Sequence, residues 1–410
     1  MEQYDVAAIR SRFPALQEGA RGAGGVDLDG PAGTQVPASV IEAMADVHRL
    51  GISNHGGGFP TSDAADRITT EARSAVADLY NAGPDEIVFG QNMTSLTFSI
   101  SRALAREWAA GDEVVVTLLD HDANVTPWRL AAEDRGVTVR TVPFDAATGQ
   151  LDPETVAAAL SNRTRLVAVT HASNALGSVP DVGRIVEMAH RAGALAYVDA
   201  VHVAPHGIVD VAALDADFLV SSAYKFFGPH TGALYGKAEI LERLRAYKVV
   251  PAPDHGPDKW ETGTQSFESL AGVTAAVEHL ASLGEGANRR ERIVSGQQKV
   301  RGHELALIER FLAGAAEIPG LRIYGITAPE MLSQRVPTFS VAIEGRHPEE
   351  TAAAIRERGI YVRSGDYYAV GVMSHLGVAE RGGLLRIGFV QYTTREEVDR
   401  TLDALAAAAD

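Results

Sequence analysis

LDADFLVSSAYKFFGPHTGALYG, residues 214–236, sets two short apolar runs, FLV and ALY, on either side of a loop with one lysine. Asp217 precedes FLV, and the run breaks at Ser221 and Ser222. That is the pattern of a parallel strand buried on both faces. In the loop Lys225 is flanked by Tyr224, Phe226 and Phe227 and followed by Gly228 and Pro229. Such surroundings disfavour an ammonium ion and lower the pKa of a lysine, and a neutral amine attacks carbonyl carbon. The alternative is a loop lysine whose stem packs on the rings while its head reaches water. This window leaves both readings open.

Outward from it, the chain from Asp85 to Gly236 alternates strand and helix. EIVFG, EVVVTLLD, VTVRTVPF, LVAVTHAS, ALAYVDAVH, FLVSSAY and GALYG read as seven strands, with SLTFSISRALAREWAA and DVGRIVEMAHRAG as amphipathic helices between them. Continuous apolar strands with helical crossovers predict a mainly parallel sheet covered on both faces. Upstream, an opening helix reaches to about residue 20, and a second helix starts at about Pro37. Downstream of Gly284 the texture changes. A charged helical stretch, NRRERIVSGQQKVRGHELALIERFLAGAA, precedes two strand signals, TFSVAIE and LLRIGFVQ, with helices from Glu349 to Arg358 and from Arg395 to Ala408. The expected fold is α/β, with an N-terminal segment at 1–25 packing on the smaller domain, a large domain at 26–284 and a smaller α+β domain at 285–410.

A length of 410 residues exceeds one compact core and agrees with two domains. A net charge of −16 with no basic run speaks against nucleic-acid binding. With no cysteine in the chain, disulfides, thiolate metal ligands and a cysteine nucleophile are excluded. The N-terminus lacks the features of a signal peptide, and no apolar run has membrane-spanning length, so a cytoplasmic location without membrane attachment is expected. Two motifs are set aside. The GAGG run at 22–25 has no preceding strand and lacks the third glycine of a dinucleotide fingerprint. His55 opens an HGGG run, but the hydrolase reading needs a G-x-S-x-G elbow that the chain does not have. That glycine loop is read as flanking an active site.

Ligands of parallel sheets collect at the carboxyl ends of the strands. The first strand runs into QNMTSL, where a helix start with Met93, Thr94 and Ser95 makes a phosphate cradle or a plain N-cap. The second ends near His121, the fourth near Asn174, and the fifth at Asp199, a carboxylate that is costly in an apolar strand unless it meets a cation or several donors. A metal site competes, because His202 and His206 are four apart and Asp199 and His121 are further donors, though Pro205 interrupts a helix there. One cofactor gives all these strand ends a use. Pyridoxal 5'-phosphate needs an amine for its aldehyde (Lys225), an acid for its ring nitrogen (Asp199), a stacking group (His121) and a phosphate cradle.

The stretches DHDANVTPW, HASNALGSVPDV, YVDAVHVAPH, SSAYKFFGPHTGALYG, KWETGTQ and YVRSGDYYAV, in this order, resemble the class V aminotransferase and cysteine desulfurase family, whose fold is the fold-type I PLP-dependent transferase fold. The resemblance implies that Lys225 carries the cofactor, Asp199 pairs with the pyridine nitrogen, His121 stacks on the ring, and Asn174 lies near its phenolic oxygen and the substrate. Met93, Thr94 and Ser222 would hold the phosphate, with His202 and Tyr224 lining the cofactor. Thr264 would reach the phosphate of a neighbouring subunit, which implies a homodimer with shared active sites. Arg386 matches the substrate-carboxylate arginine, with Arg363, His55 and Tyr368 near the substrate. Independently, an arginine inside an apolar strand is rarely left unpaired, so Arg386 is either a carboxylate receptor or half of an ion pair.

Three departures matter. Where desulfurases carry the persulfide-forming cysteine, this chain reads DYYA; His202 stands for the usual glutamine; and Tyr224 stands for the usual histidine before the lysine. The expected function is carbon-sulfur cleavage of a cysteine S-conjugate or related sulfur amino acid by β-elimination, without persulfide formation. Transamination or decarboxylating oxidative deamination of an amino-acid conjugate is the alternative, and a metal-dependent hydrolase is the outsider.

Overall fold

In a computed structural model, residues 4–18 and 24–410 are described; Gly22, where the GAGG run begins, falls outside them. After β1 (Val26–Asp27), the strands β2 (Ile87–Gly90), β3 (Glu113–Thr117), β4 (Thr138–Val142), β5 (Thr164–Thr170), β6 (Leu195–Asp199), β7 (Phe218–Ser222) and β8 (Gly232–Gly236) make one seven-stranded sheet. Its order is β2-β8-β7-β6-β5-β3-β4. Only β8 runs against its neighbours, pairing antiparallel with both β2 and β7. All seven expected strands are present.

The strands are continuously apolar because each feeds two cores. Val115, Val167, Val169 and Leu219 face one core, whereas Val114, Val116, Leu166, Ala168, Phe218 and Val220 face the other. This is the period-two alternation of a pleated strand with both faces covered. The sheet's last strand, β4, is mostly exposed.

The smaller domain holds β9 (Leu321–Tyr324), β10 (Thr338–Ile343), β11 (Ile360–Tyr361), β12 (Arg363–Gly365) and β13 (Leu384–Gly388). Four of them form an antiparallel sheet in the order β12-β13-β10-β9, and β11 pairs in parallel with β1. Val26 and Leu28 are therefore buried in the same core as Phe311, Phe339 and Leu385. The helix Arg289–Ala316 ties the two domains together: Ile293 and Val300 lie in the large core, Leu307, Ile308 and Phe311 in the small one. The opening segment is two short helices, Val6–Arg10 and Pro14–Glu18, where one was expected. Two long helices escaped the sequence reading, Pro60–Tyr80 and Phe267–Ala281, as did the short helices Ala238–Arg243 and Val370–His375. Among the described residues no helix is long and apolar enough to cross a membrane.

Arg335 fastens the turn after β5 to the smaller domain. It is fully buried, and its guanidinium donates to the carbonyls of Ile326, Thr338 (2.6 Å) and Leu176 (3.5 Å) while lying 4.2 Å over the ring of Phe339. Arg335→Ala strips charge-assisted bonds from buried carbonyls, an expected loss of about 3 kcal/mol or more. Denaturant unfolding should show a clearly lowered midpoint, whereas Arg322→Ala, on an exposed side chain, should stay within about 0.5 kcal/mol of the parent.

Candidate active site

The carboxyl ends of the parallel strands bring the expected residues together. Asn92 caps the helix Met93–Ala105 by accepting from the Ser95 amide at 2.9 Å. The Met93 amide donates to the Ser222 hydroxyl at 2.9 Å, joining that helix start to the end of β7. This approach requires glycine at 232, since a Cβ there would lie 2.4 Å from the Asn92 carbonyl carbon. A helix N-terminus with the hydroxyls of Thr94 and Ser222 beside it is an anion cradle by its partial charges and its donors. The hydroxyl of Tyr224 also bonds Ser222, and its ring stacks on His230 at 4.8 Å.

Asp199 ends β6, buried, with one carboxylate oxygen accepting from the Val201 amide at 2.9 Å. Its other oxygen accepts no hydrogen bond from the described residues. Burial pushes the carboxyl up to about 6, held back by that amide and by Lys225. His121 is pushed down to about 4 by burial and by the charges of Lys225 and Arg386, so its ring is neutral at pH 7. Its Nδ1 accepts from the Ala123 amide at 3.0 Å. Lys225 donates to the carbonyls of Pro31 and Ala32, the latter at 2.9 Å, and lies 5.0 Å over the Tyr224 ring. Burial first and Arg386 second bring its amine down to about 7, against the pull of Asp29 and Asp199.

The smaller domain supplies the opposite wall. Arg386 on β13 is buried, with Nη1 donating to the Asn174 carbonyl at 3.2 Å and the guanidinium 4.6 Å over the Tyr367 ring. Asn174 in turn donates to the Tyr367 carbonyl at 2.9 Å, while its buried side-chain oxygen has no partner among the described residues. Tyr367 and Tyr368 both take left-handed backbone, with φ of 54° and 59°. Such backbone costs a non-glycine residue about 1–2 kcal/mol. It is held by the Asp122 amide on the Tyr368 carbonyl (2.8 Å) and by Asp366 on the Tyr368 amide (2.9 Å). The held conformation lays the exposed Tyr368 ring on His121, centroids 5.5 Å apart and 22° between planes.

Not everything expected joins this cluster. The side chains of Thr264 and His55 are exposed and make no hydrogen bond to it. His202 and His206 do not share a ligand: His202 Nε2 bonds the Thr338 hydroxyl and His206 Nδ1 pairs with Glu304, each at 2.8 Å. Among the described residues no group of three or more His, Asp or Glu side chains is placed to hold a metal ion. Sequence reasoning missed Asp29, which contacts both Arg363 and Arg386. It also missed Asp120, buried beside His121, pushed up to about 8 by its burial and bonded by Thr117 and Asn124. The segment LDGPAG reads as part of a turn-rich loop, and in DHDAN the histidine drew the attention, so neither aspartate stood out.

The donor set fits pyridoxal phosphate: a buried carboxylate with one oxygen unengaged, a cradle for an anion, a flat neutral imidazole and an amine near neutrality. Comparison with known proteins points the same way. The family model described as Aminotransferase class-V matches residues 26–401. A probable cysteine desulfurase of Mycolicibacterium paratuberculosis is 34% identical over 427 aligned positions, covering 100% of this chain and 59% of that relative's length. A cysteine desulfurase of Dickeya dadantii is 31% identical, covering 99% of this chain and 97% of its own. The apo cysteine desulfurase of Thermococcus onnurineus matches with a TM-score of 0.87 at 28% identity, covering 98% of this chain and 97% of that one. An S-sulfonic acid form of an Escherichia coli cysteine desulfurase matches with a TM-score of 0.84 at 28% identity, covering 99% and 98%. The chain thus belongs to the class-V aminotransferase family, the cysteine-desulfurase-like fold-type I proteins that use pyridoxal phosphate, and it lacks the desulfurase cysteine.

Proposed function

We propose that this protein splits the carbon-sulfur bond of a cysteine S-conjugate or related sulfur amino acid by β-elimination, without forming a persulfide. The observation that carries the reading is the loop with Tyr367 and Tyr368. Relatives named as cysteine desulfurases are here matched by a chain with no thiol to receive sulfur, and with a tyrosine ring over His121 in the loop at 366–368. When bound, pyridoxal phosphate supplies an aldehyde for amino groups and a ring that takes up the electron pair released at Cα.

The chain's own residues would do the rest. Met93, Thr94 and Ser222 would hold the phosphate, and Asp199, with one oxygen unengaged, would be the anionic partner of the ring nitrogen. Neutral His121 offers a flat face without adding charge. Arg386 binds the substrate carboxylate, and Asn174 lies beside it. Lys225, near neutrality in pKa, would carry the cofactor through Nζ and, when that amine is free, accept the Cα proton on it. Sulfur leaves with the electron pair of the Cβ–S bond and a proton, and hydrolysis of the three-carbon fragment gives pyruvate and ammonia. We also propose a homodimer in which Thr264 serves the partner's site and His55 borders the entrance. Exposed Tyr247, Val249 (69%) and Val250 (94%) form an apolar stretch that supports such a contact.

The reading is tested by incubating the PLP-loaded protein with S-methyl-L-cysteine and bulkier S-substituted cysteines. Equimolar thiol and pyruvate are expected, abolished in Lys225→Ala. A 2-oxo acid that keeps its sulfur substituent would instead identify an aminotransferase, and carbon dioxide a decarboxylase.

The lysine carries its own prediction. A pKa brought down from 10.5 to about 7 leaves the amine half neutral near pH 7, with the reactive neutral form gained as pH rises and lost as pH falls. Reductive methylation of the cofactor-free protein, followed by peptide mass spectrometry, should label Lys225 with a midpoint near pH 7. Lys237, whose pKa is raised by its bonds to Asp215 and Asp217, should be labelled only at a clearly higher pH.

A further inference from the structure

Residues 29–32 lie against β13 by construction. Asp29 bridges to Gly388, and a Cβ at 388 would lie 2.2 Å from the Pro31 ring, so glycine there is what admits the loop. The amides of Ala32 (2.8 Å) and Gly33 (3.3 Å) donate back to the Asp29 carbonyl and brace the turn. Its side chain thereby meets a problem built into the small sheet. Arg363 on β12 and Arg386 on β13 are directly opposite partners in an antiparallel pair, where like charges repel.

Asp29 resolves that repulsion unequally. Its carboxylate takes Arg363 through two nitrogens, Nε at 3.1 and 3.2 Å and Nη2 at 2.5 Å. Arg386 is only at 3.5 Å through Nη2. Arg386 keeps a buried Nε with no partner among the described residues and a single long bond from Nη1. One arginine is therefore engaged as a fork and the other retains donors for a ligand. Two guanidinium charges against one internal carboxylate leave one positive charge to match.

We propose that Asp29 determines specificity: by occupying Arg363 it restricts the site to amino acids with one carboxylate and an uncharged side chain, and it disfavours dicarboxylic ones. The inference rests on Arg386 as the carboxylate receptor of the proposed function. It goes further by naming what keeps the second arginine from reading a second carboxylate.

The test uses calorimetric titration of the PLP-loaded protein with propionate and succinate, which carry one and two carboxylates and no amine to react. In Asp29→Asn, freed Arg363 should raise succinate affinity at least tenfold relative to propionate, and Asp29→Asn with Arg363→Gln should remove that gain. A gain shared equally by both ligands, or one that survives loss of Arg363, overturns the proposal. Arg363→Gln alone, which leaves Asp29 to turn onto Arg386, should weaken propionate several-fold; unchanged propionate binding also overturns it, even if the Asp29 variant does not fold. Arg386→Gln separates the two levels. If it leaves propionate binding intact, Arg386 is not the receptor and the underlying reading fails, whatever Asp29 does.

Discussion

Three cationic side chains, Lys225, Arg363 and Arg386, share a site in which burial works against each charge, and a single nearby carboxylate, Asp29, acts on all three. Such crowding is costly unless the surrounding backbone fixes every partner. Here it does. The β1 segment leaves the small-domain core at Leu28, the turn at 29–33 is braced by its own amides, and the carbonyls of Pro31 and Ala32 receive the lysine. The lysine consequently sits between two influences, desolvation and Arg386 pushing its amine toward neutrality, Asp29 and Asp199 opposing them. An amine that is half neutral near pH 7 is the outcome of that balance rather than of any one contact.

The large domain was legible because its physics is local. Strands buried on both faces must be continuously apolar, and EVVVT, LVAVT and FLVSS have no other economical reading. Once the sheet is parallel, the residues ending its strands are forced to one edge. Asp199, His121, Asn174 and Lys225 were therefore singled out by position as much as by chemistry. The two long missed helices show the limit of that method. Pro60–Tyr80 starts with proline at its first position, which looks like loop but suits a helix start, and its buried stripe runs through Ala65, Ala72 and Ala75, too weakly apolar to mark a period.

Asp29 was illegible for a different reason. Its neighbours Asp27, Gly30 and Pro31 announce a turn, and nothing in LDGPAG says which arginine it will meet more than 330 residues later. The pairing depends on β1 adding to β11 and on a glycine at 388, two facts of the small domain that short strands of two or three residues conceal. Arg335 is similar: its partners are main-chain carbonyls, which no side-chain pattern reports.

The loop at 366–368 joins the two halves of the site. Asp122 follows His121 on the large domain, and its amide holds the Tyr368 carbonyl; Asn174, also on the large domain, holds the Tyr367 carbonyl; and the Tyr367 ring lies under Arg386 of the small domain. Two adjacent non-glycine residues in left-handed backbone persist only where such contacts over-determine them. Arg386 on β13, the group expected to bind the substrate carboxylate, and the Tyr368 ring are thus joined through this one loop. On that account the tyrosines do more than fill the place of an absent cysteine: one packs on Arg386 of the small domain and the next on His121 of the large one, so a single strained loop fixes both sides of the cleft.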